Sequence, residues 1–189
     1  MKLIIASNNR HKIYEIKKIL GGKFDEILSL KEAGIDHETV EDGTTFMENA
    51  IKKAREIAEL SGSFALADDS GICVDALGGA PGIYSARFSG GTDEDNNNLL
   101  LEKLKDEPNK RAHYTCAMAL VSPTGEQVLA EGYMYGRITH QRRGERGFGY
   151  DPLFVPDGET RTVAELTDEE KNAISHRANA LSLLLEKLG

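Results

Sequence analysis

The sequence predicts an α/β fold with a mixed central sheet flanked by helices, and three observations predict it. Short apolar, strand-like runs alternate with amphipathic helical stretches along the chain. Two long strand-like segments, Ala112–Ser122 and Gln127–Ile138, are joined by Pro123-Thr124-Gly125-Glu126, a hairpin connection that makes the sheet mixed rather than all parallel. No repeat, low-complexity tract or linker interrupts the 189 residues, so residues 1–189 read as one domain.

Lys2–Ala6 is predicted as a buried strand, because Leu3, Ile4 and Ile5 form an apolar run that Ser7-Asn8-Asn9 ends. A helix follows from about Arg10 to Leu20, with Ile13, Ile16, Ile19 and Leu20 on one face and Gly21-Gly22 as its stop. Glu26–Leu30 is a further strand. Thr45 is an N-cap with Glu48 at the capping-box position, opening a helix to about Leu60 that turns Phe46, Ala50, Ala54, Ile57 and Ala58 inward. Phe64–Ala67 is a short apolar strand running into Asp68-Asp69-Ser70-Gly71. Leu77–Gly82 is a glycine-rich loop, and Asp93–Lys105 a helix with Leu100, Leu101 and Leu104 as its core stripe. After the hairpin, Thr139–Gly149 is a basic loop and Leu153–Val155 a strand. Thr167, with Glu170 three residues on, opens a helical region striped by Ile174, Ala178, Leu181, Leu184, Leu185 and Leu188, with a break expected near Ser175.

Bulk properties narrow the classes of function. A chain of this length hides roughly 70% of its unfolded surface on folding and needs no disulfide or metal for stability. Cys73 and Cys116 sit in no Cys/His cluster and are expected to be reduced. No signal-peptide core and no run near the ~18 apolar residues of a membrane span is present, from which a cytoplasmic location is expected. A net charge of −8 argues against general nucleic-acid binding. It also requires that any polyanionic substrate meet a locally basic pocket or arrive with a divalent cation.

Ser7-Asn8-Asn9-Arg10-His11-Lys12 lies between the first strand and first helix, where helix amides and dipole favour phosphate; the plainer reading is a strand-to-helix turn with an Asn cap. It is not a P-loop, lacking G-x-x-x-x-G-K-[ST]. Asp68 and Asp69, adjacent after a buried strand, suit a Mg²⁺ site built of hard oxygen donors, with an acidic turn as the alternative. Glu41, before a helix, is a weaker candidate for the same site. Lys53 reads locally as a solvated helix lysine beside Lys52. Gly147-Phe148-Gly149-Tyr150-Asp151-Pro152 lets backbone approach a ligand: Phe148 could stack on a base, and Asp151 could accept from a base edge. Lys171 and Ser175-His176-Arg177 read locally as helix-surface polars, and Arg142, Arg143 and Arg146 as a solvated basic loop.

Together and in this order these segments resemble the inosine triphosphate pyrophosphatase family. The residues are Ser7-x-Asn9-x-x-Lys12, Glu41-x-Gly43-x-Thr45-Phe46-x-Glu48-Asn49-Ala50, Lys53-Ala54 and Ala67 to Gly71. Gly78 to Arg87, Gly147 to Pro152, Ala164 to Leu166 and Glu170 to Arg177 complete the set. The match runs almost end to end, and Ser7 stands where many members carry threonine, which keeps the hydroxyl. The resemblance implies two lobes with an active groove between them, Mg²⁺ as cofactor, a homodimer, and ITP, dITP and XTP as substrates cleaved to monophosphate and pyrophosphate. By the same resemblance Ser7, Asn8, Asn9, Arg10, His11, Lys12, Lys53 and Ser70 hold the triphosphate. Glu41, Asp68 and Asp69 handle metal and water, with Asp69 the chosen general base. Phe148, Gly149, Tyr150, Asp151, Lys171, His176 and Arg177 hold the nucleotide and its base. The rivals are an enzyme acting on other modified nucleotides and a nucleotide sensor without turnover, whose expected sign is loss of one of the three acids.

Overall fold

The computed structural model describes residues 1–189. Its strands are β1 (Lys2–Ile5), β2 (Glu26–Ser29), β3 (Phe64–Val74), β4 (Arg111–Val121), β5 (Gln127–Ile138) and β6 (Phe154–Pro156). Its helices are α1 (Arg10–Leu20), α2 (Phe46–Ser61), α3 (Asp93–Lys103), α4 (Asp168–Ile174) and α5 (His176–Leu188). The strands lie in the order β2-β1-β3-β4-β5-β6. β1 pairs in parallel with β2 and β3, whereas β5 and β6 are antiparallel, so the sheet is mixed as the hairpin predicts. No helix is long and apolar enough to cross a membrane.

The chain forms two compact units. The first comprises Met1–Asp69, Cys116–Gly132 and Arg177–Gly189; the second comprises Ser70–Thr115 and Tyr133–His176.

In the first unit, strand periodicity sorts the sheet residues onto two faces. Leu3, Ile5, Leu66, Cys116, Met118 and Leu120 pack with Ile16 and Leu20 of α1 and with Ala180, Leu181 and Leu184 of α5. Ile4, Ala6, Ala65, Ala67, Ala117, Ala119 and Val121 pack with Ala50, Ala54, Ile57 and Ala58 of α2. Each large aliphatic side chain buried this way contributes about 1.5–3 kcal/mol. The helix ends follow the sequence signals: Asn9 caps α1 through the amides of His11 and Lys12. Thr45 caps α2, which Gly62 ends in the left-handed region at φ 60°.

The core of the second unit contains Ile72, Val74, Leu100, Tyr114, Met134, Phe154 and Val163. Gly136 of β5 admits β6: a Cβ there would lie 2.8 Å from the Phe154 ring and against the Val155 carbonyl. Thr167 and Glu170 form the reciprocal cap of α4, and the chain breaks at Ser175, whose N–H donates to Lys171 O before α5 begins.

One expectation changes. β3 does not stop at Ala67 but continues to Val74, so Asp68 and Asp69 stand inside a strand and not at its exit. Nothing in Asp68-Asp69-Ser70 breaks a strand sterically, and each carboxylate finds partners on its own face. The arginines of 139–149 face solvent, Arg146 exposed and Arg142 and Arg143 partly so, and they are tied down as well: Arg142 donates to Glu94 O and Asn98 Oδ1, Arg143 to Thr160 O, and Arg146 to Glu165 O. These bonds pin the loop to α3 and to residues 160–165, and only tertiary placement supplies the acceptors. Cys73 and Cys116 are free thiols.

Candidate active site

In the first unit the candidate residues converge on β3. Because side chains alternate along a strand, Asp68 and Asp69 face opposite sides of the sheet. Asp68 shares the face of Leu66: its Oδ2 lies 3.1 Å from Lys12 Nζ and 3.2 Å from Arg177 Nη2, with Cys116 Sγ at 3.9 Å. Arg177 also pairs with Glu15. Burial by itself would raise the Asp68 pKa, but Lys12 and Arg177 outweigh it and hold the carboxyl well below the usual range. The same enclosure pushes the Cys116 thiol up.

Asp69 shares the face of Ala67 and meets α2. Its Oδ2 accepts from Asn49 Nδ2 at 2.9 Å. Lys53, one turn further along α2, is no solvated lysine: its side chain is only 13% exposed, with Nζ 2.5 Å from Glu41 Oε1 and donating to Asp68 O at 2.6 Å. Burial would lower the Lys53 pKa, but the charges of Asp68, Asp69 and Glu41 raise it. The Asp69 carboxyl pKa is raised as well: burial raises it, Lys53 and the Asn49 hydrogen bond oppose, and Glu41 adds to the rise. Lys53 thus links Glu41 to the backbone of β3 beside Asp69.

Around α1, Ser7 Oγ accepts from Asn9 N–H at 3.1 Å, and Asn9 Oδ1 takes the amides of His11 and Lys12. The side-chain cap thus occupies two of the amides that an anion would use. Asn8, Arg10 and His11 are exposed beside it.

The second unit holds the remaining candidates. Ser70 is half-buried in the second part of β3. Asp151 is buried: Oδ2 accepts from Lys171 Nζ at 2.9 Å and Phe148 N–H at 3.1 Å, and Oδ1 from Tyr114 Oη at 3.3 Å. Asp151 thus anchors both Phe148 and Lys171. Lys171 Nζ lies 4.8 Å from the centroid of the half-buried Phe148 ring, covering one side of it. Gly149 N–H donates to Asp93 Oδ2 and its carbonyl accepts from Asn97 Nδ2, locking the turn to α3. Tyr150 is buried, donating from Oη to Ser85 O at 2.7 Å. His176 stacks on Tyr114, with ring centroids 4.7 Å apart and planes 12° from parallel. Arg177, 1% exposed, opens α5 in the first unit, its guanidinium held between Glu15 and Asp68.

Asn49 is the residue whose role sequence reasoning missed. The signal was available: Asn49 and Lys53 stand one turn apart on the edge of the apolar stripe of α2, where polar side chains need partners.

The fold and the clustered charges define an α/β protein with carboxylates and half-buried lysines gathered on β3, α1 and α2, a set suited to handling phosphate. Residues 3–187 match the Ham1 family, to which this chain belongs. It is 50% identical over 193 residues to the dITP/XTP pyrophosphatase of Leifsonia xyli, covering 100% of this chain and 96% of that protein. It is also 50% identical over 197 residues to that of Clostridium perfringens, covering 99% and 97%. Among solved structures, the Staphylococcus aureus Ham1 protein superposes with a TM-score of 0.89 at 40% identity, covering 100% of this chain and 98% of that one.

Proposed function

We propose that this chain hydrolyses dITP, ITP and XTP to the monophosphate and pyrophosphate, in a magnesium-dependent reaction, as a cytoplasmic homodimer. The observation that carries the reading is the 50% identity, over the whole chain, to a protein named dITP/XTP pyrophosphatase. The two candidate sets are also joined directly through the chain, by the Asp69–Ser70 and His176–Arg177 peptide bonds. We assign the triphosphate to the first set and the base to the second.

Release of pyrophosphate requires water to attack the α-phosphorus in line with the α–β bridging oxygen, a reaction that needs positioning and charge neutralisation more than covalent help. Asp69 is the general base. Its carboxylate is held from the α2 side through Oδ2 by Asn49. Lys12 and Lys53 supply cations to phosphate oxygens, each held until then by a carboxylate, Asp68 and Glu41 respectively. Ser7, Asn9 and the start of α1 frame the same anion.

Magnesium fits this donor set without a ready-made cage. No group of three or more His, Cys, Asp or Glu side chains is close enough to hold an ion by itself. Mg²⁺ commonly takes one or two carboxylates and completes its shell with water and substrate phosphate. Glu41, paired with Lys53, would hold it, and Asp69 keeps its carboxylate for the attacking water. Asp68 has its carboxylate taken by Lys12 and Arg177 and serves to fix those cations. When bound, Mg²⁺ neutralises phosphate charge and makes a coordinated water more acidic.

Phe148, backed by Lys171, provides the stacking surface for the base. Hypoxanthine and xanthine carry a carbonyl at position 6 where adenine carries an amino donor, so donors in the site reject ATP by remaining unpaired. By the family resemblance those donors include His176. Guanine shares the carbonyl and must be rejected through its 2-amino group.

The test is a product assay on dITP, ITP, XTP, GTP and ATP, with and without Mg²⁺, that separates pyrophosphate from orthophosphate. Pyrophosphate from the first three, dependent on Mg²⁺ and far above GTP and ATP, is expected. Orthophosphate as the product, or equal rates on GTP, overturns the reading.

A further inference from the structure

Asn49 carries a role that its position in the first turns of α2 explains. Its side chain is 2% exposed, and both ends of its amide are used. Nδ2 donates to Asp69 Oδ2 at 2.9 Å, and Oδ1 accepts from Gly43 N–H at 2.8 Å. The orientation follows from chemistry: a carboxylate only accepts and a backbone N–H only donates. One rigid amide therefore ties Asp69 of β3 to the segment whose Glu41 lies two residues before Gly43. The contact at Gly43 is close, since a Cβ there would stand 2.6 Å from Asn49 Oδ1 and 2.9 Å from Glu48 Cβ. Lys53, one turn along the same helix, holds the other ends of this arrangement, Glu41 Oε1 and Asp68 O.

We propose that Asn49 is a positioning residue for the hydrolysis: it fixes Asp69 through Oδ2, leaves Oδ1 as the working oxygen, and holds the Glu41 segment in register with it. This rests on the function proposed above. Displacing a reacting group by about 1 Å costs up to about 10²-fold in rate, so the loss of this tie shows in turnover and not in substrate affinity.

The variant Asn49→Asp separates the two bonds. An aspartate of the same size still accepts from Gly43 N–H but sets a carboxylate against Asp69 where a donor was. The expected result, assayed on dITP below the melting temperature of each variant, is a kcat lowered about 10–100-fold. KM, and the Kd of the nonhydrolysable α,β-methylene analogue of dITP by calorimetry, stay within about threefold. A kcat within about twofold of wild type overturns the proposal, as does a loss that appears equally in analogue binding. Should Asn49→Asp fail to fold by circular dichroism, the smaller neutral Asn49→Ser carries the same test with the same expected split. A wild-type chain inert on dITP, ITP and XTP is a different failure: it removes the functional reading itself, and this role with it.

Discussion

Adjacent aspartates in one strand have opposite electrostatic fates. Asp69 is buried with its carboxyl pKa raised, chiefly by desolvation, above the ordinary 3.8. A raised carboxyl favours the folded state only while protonated, so the ionised group costs stability once pH climbs through the folded pKa. Asp69→Asn is therefore expected to lose about 10²–10⁴ in kcat, while its melting temperature at pH 7 in EDTA equals or exceeds that of wild type. A lower melting temperature would show that ionised Asp69 stabilises the fold. Asp68 has the reverse sign. Its pKa is depressed below 3.8 by Lys12 and Arg177, so its contribution is complete above that pH and is lost as pH falls below it. Asp68→Asn takes a carboxylate partner from the buried Arg177 and the half-buried Lys12 and is expected to cost about 3–5 kcal/mol at neutral pH by denaturant unfolding, the gap from wild type narrowing below pH 4.

At the scale of elements, the strands and helices place chemistry by their periods. Period 2 in β3 sends one acid toward α1 and α5 and the next toward α2; the 3.6-residue turn of α2 sets Asn49 and Lys53 above them. The β5–β6 pair depends on the missing side chain of Gly136, so Gly136→Ala is expected to destabilise by about 1–3 kcal/mol in thermal unfolding, through overpacking against Phe154 and Val155. In the turn before β6, Asp151 holds Phe148 N–H and the Lys171 ammonium that lies over the Phe148 ring. Phe148→Ala, which removes the stacking surface and not the anchor, is expected to raise KM for dITP by about 1–3 kcal/mol equivalent, near tenfold or more, in steady-state assays. An unchanged KM would take the base away from Phe148.

For the molecule as a whole, an acidic chain of net charge −8 meets a polyanion by pairing its cations in advance. Lys12, Lys53, Lys171 and Arg177 each lie against a carboxylate. In the proposed reaction the substrate phosphates would take over the lysines, and the acids so freed would be available to hold Mg²⁺, with little change in total charge. Binding of the α,β-methylene analogue of dITP is accordingly expected to weaken at least tenfold when Mg²⁺ is removed with EDTA, measured by calorimetry. Equal affinity without the metal would mean that the lysines alone satisfy the phosphate.

The α/β class, the order of the elements, the caps Asn9, Thr45 and Thr167, the break at Ser175 and the full-length family resemblance were legible from the sequence alone. These depend on signals within a few residues, on periodicity, or on ordered motifs. Tertiary structure decided the partners. It carried β3 through Asp68 and Asp69, buried Lys53 against Glu41, engaged Arg142, Arg143 and Arg146, turned Asp151 into an anchor, and brought Asn49 to Asp69 across 20 residues of chain. A side chain's local sequence states which groups it can bond, but desolvation and the packing of distant segments select the one it meets, and that selection separates a solvated charge from a working one.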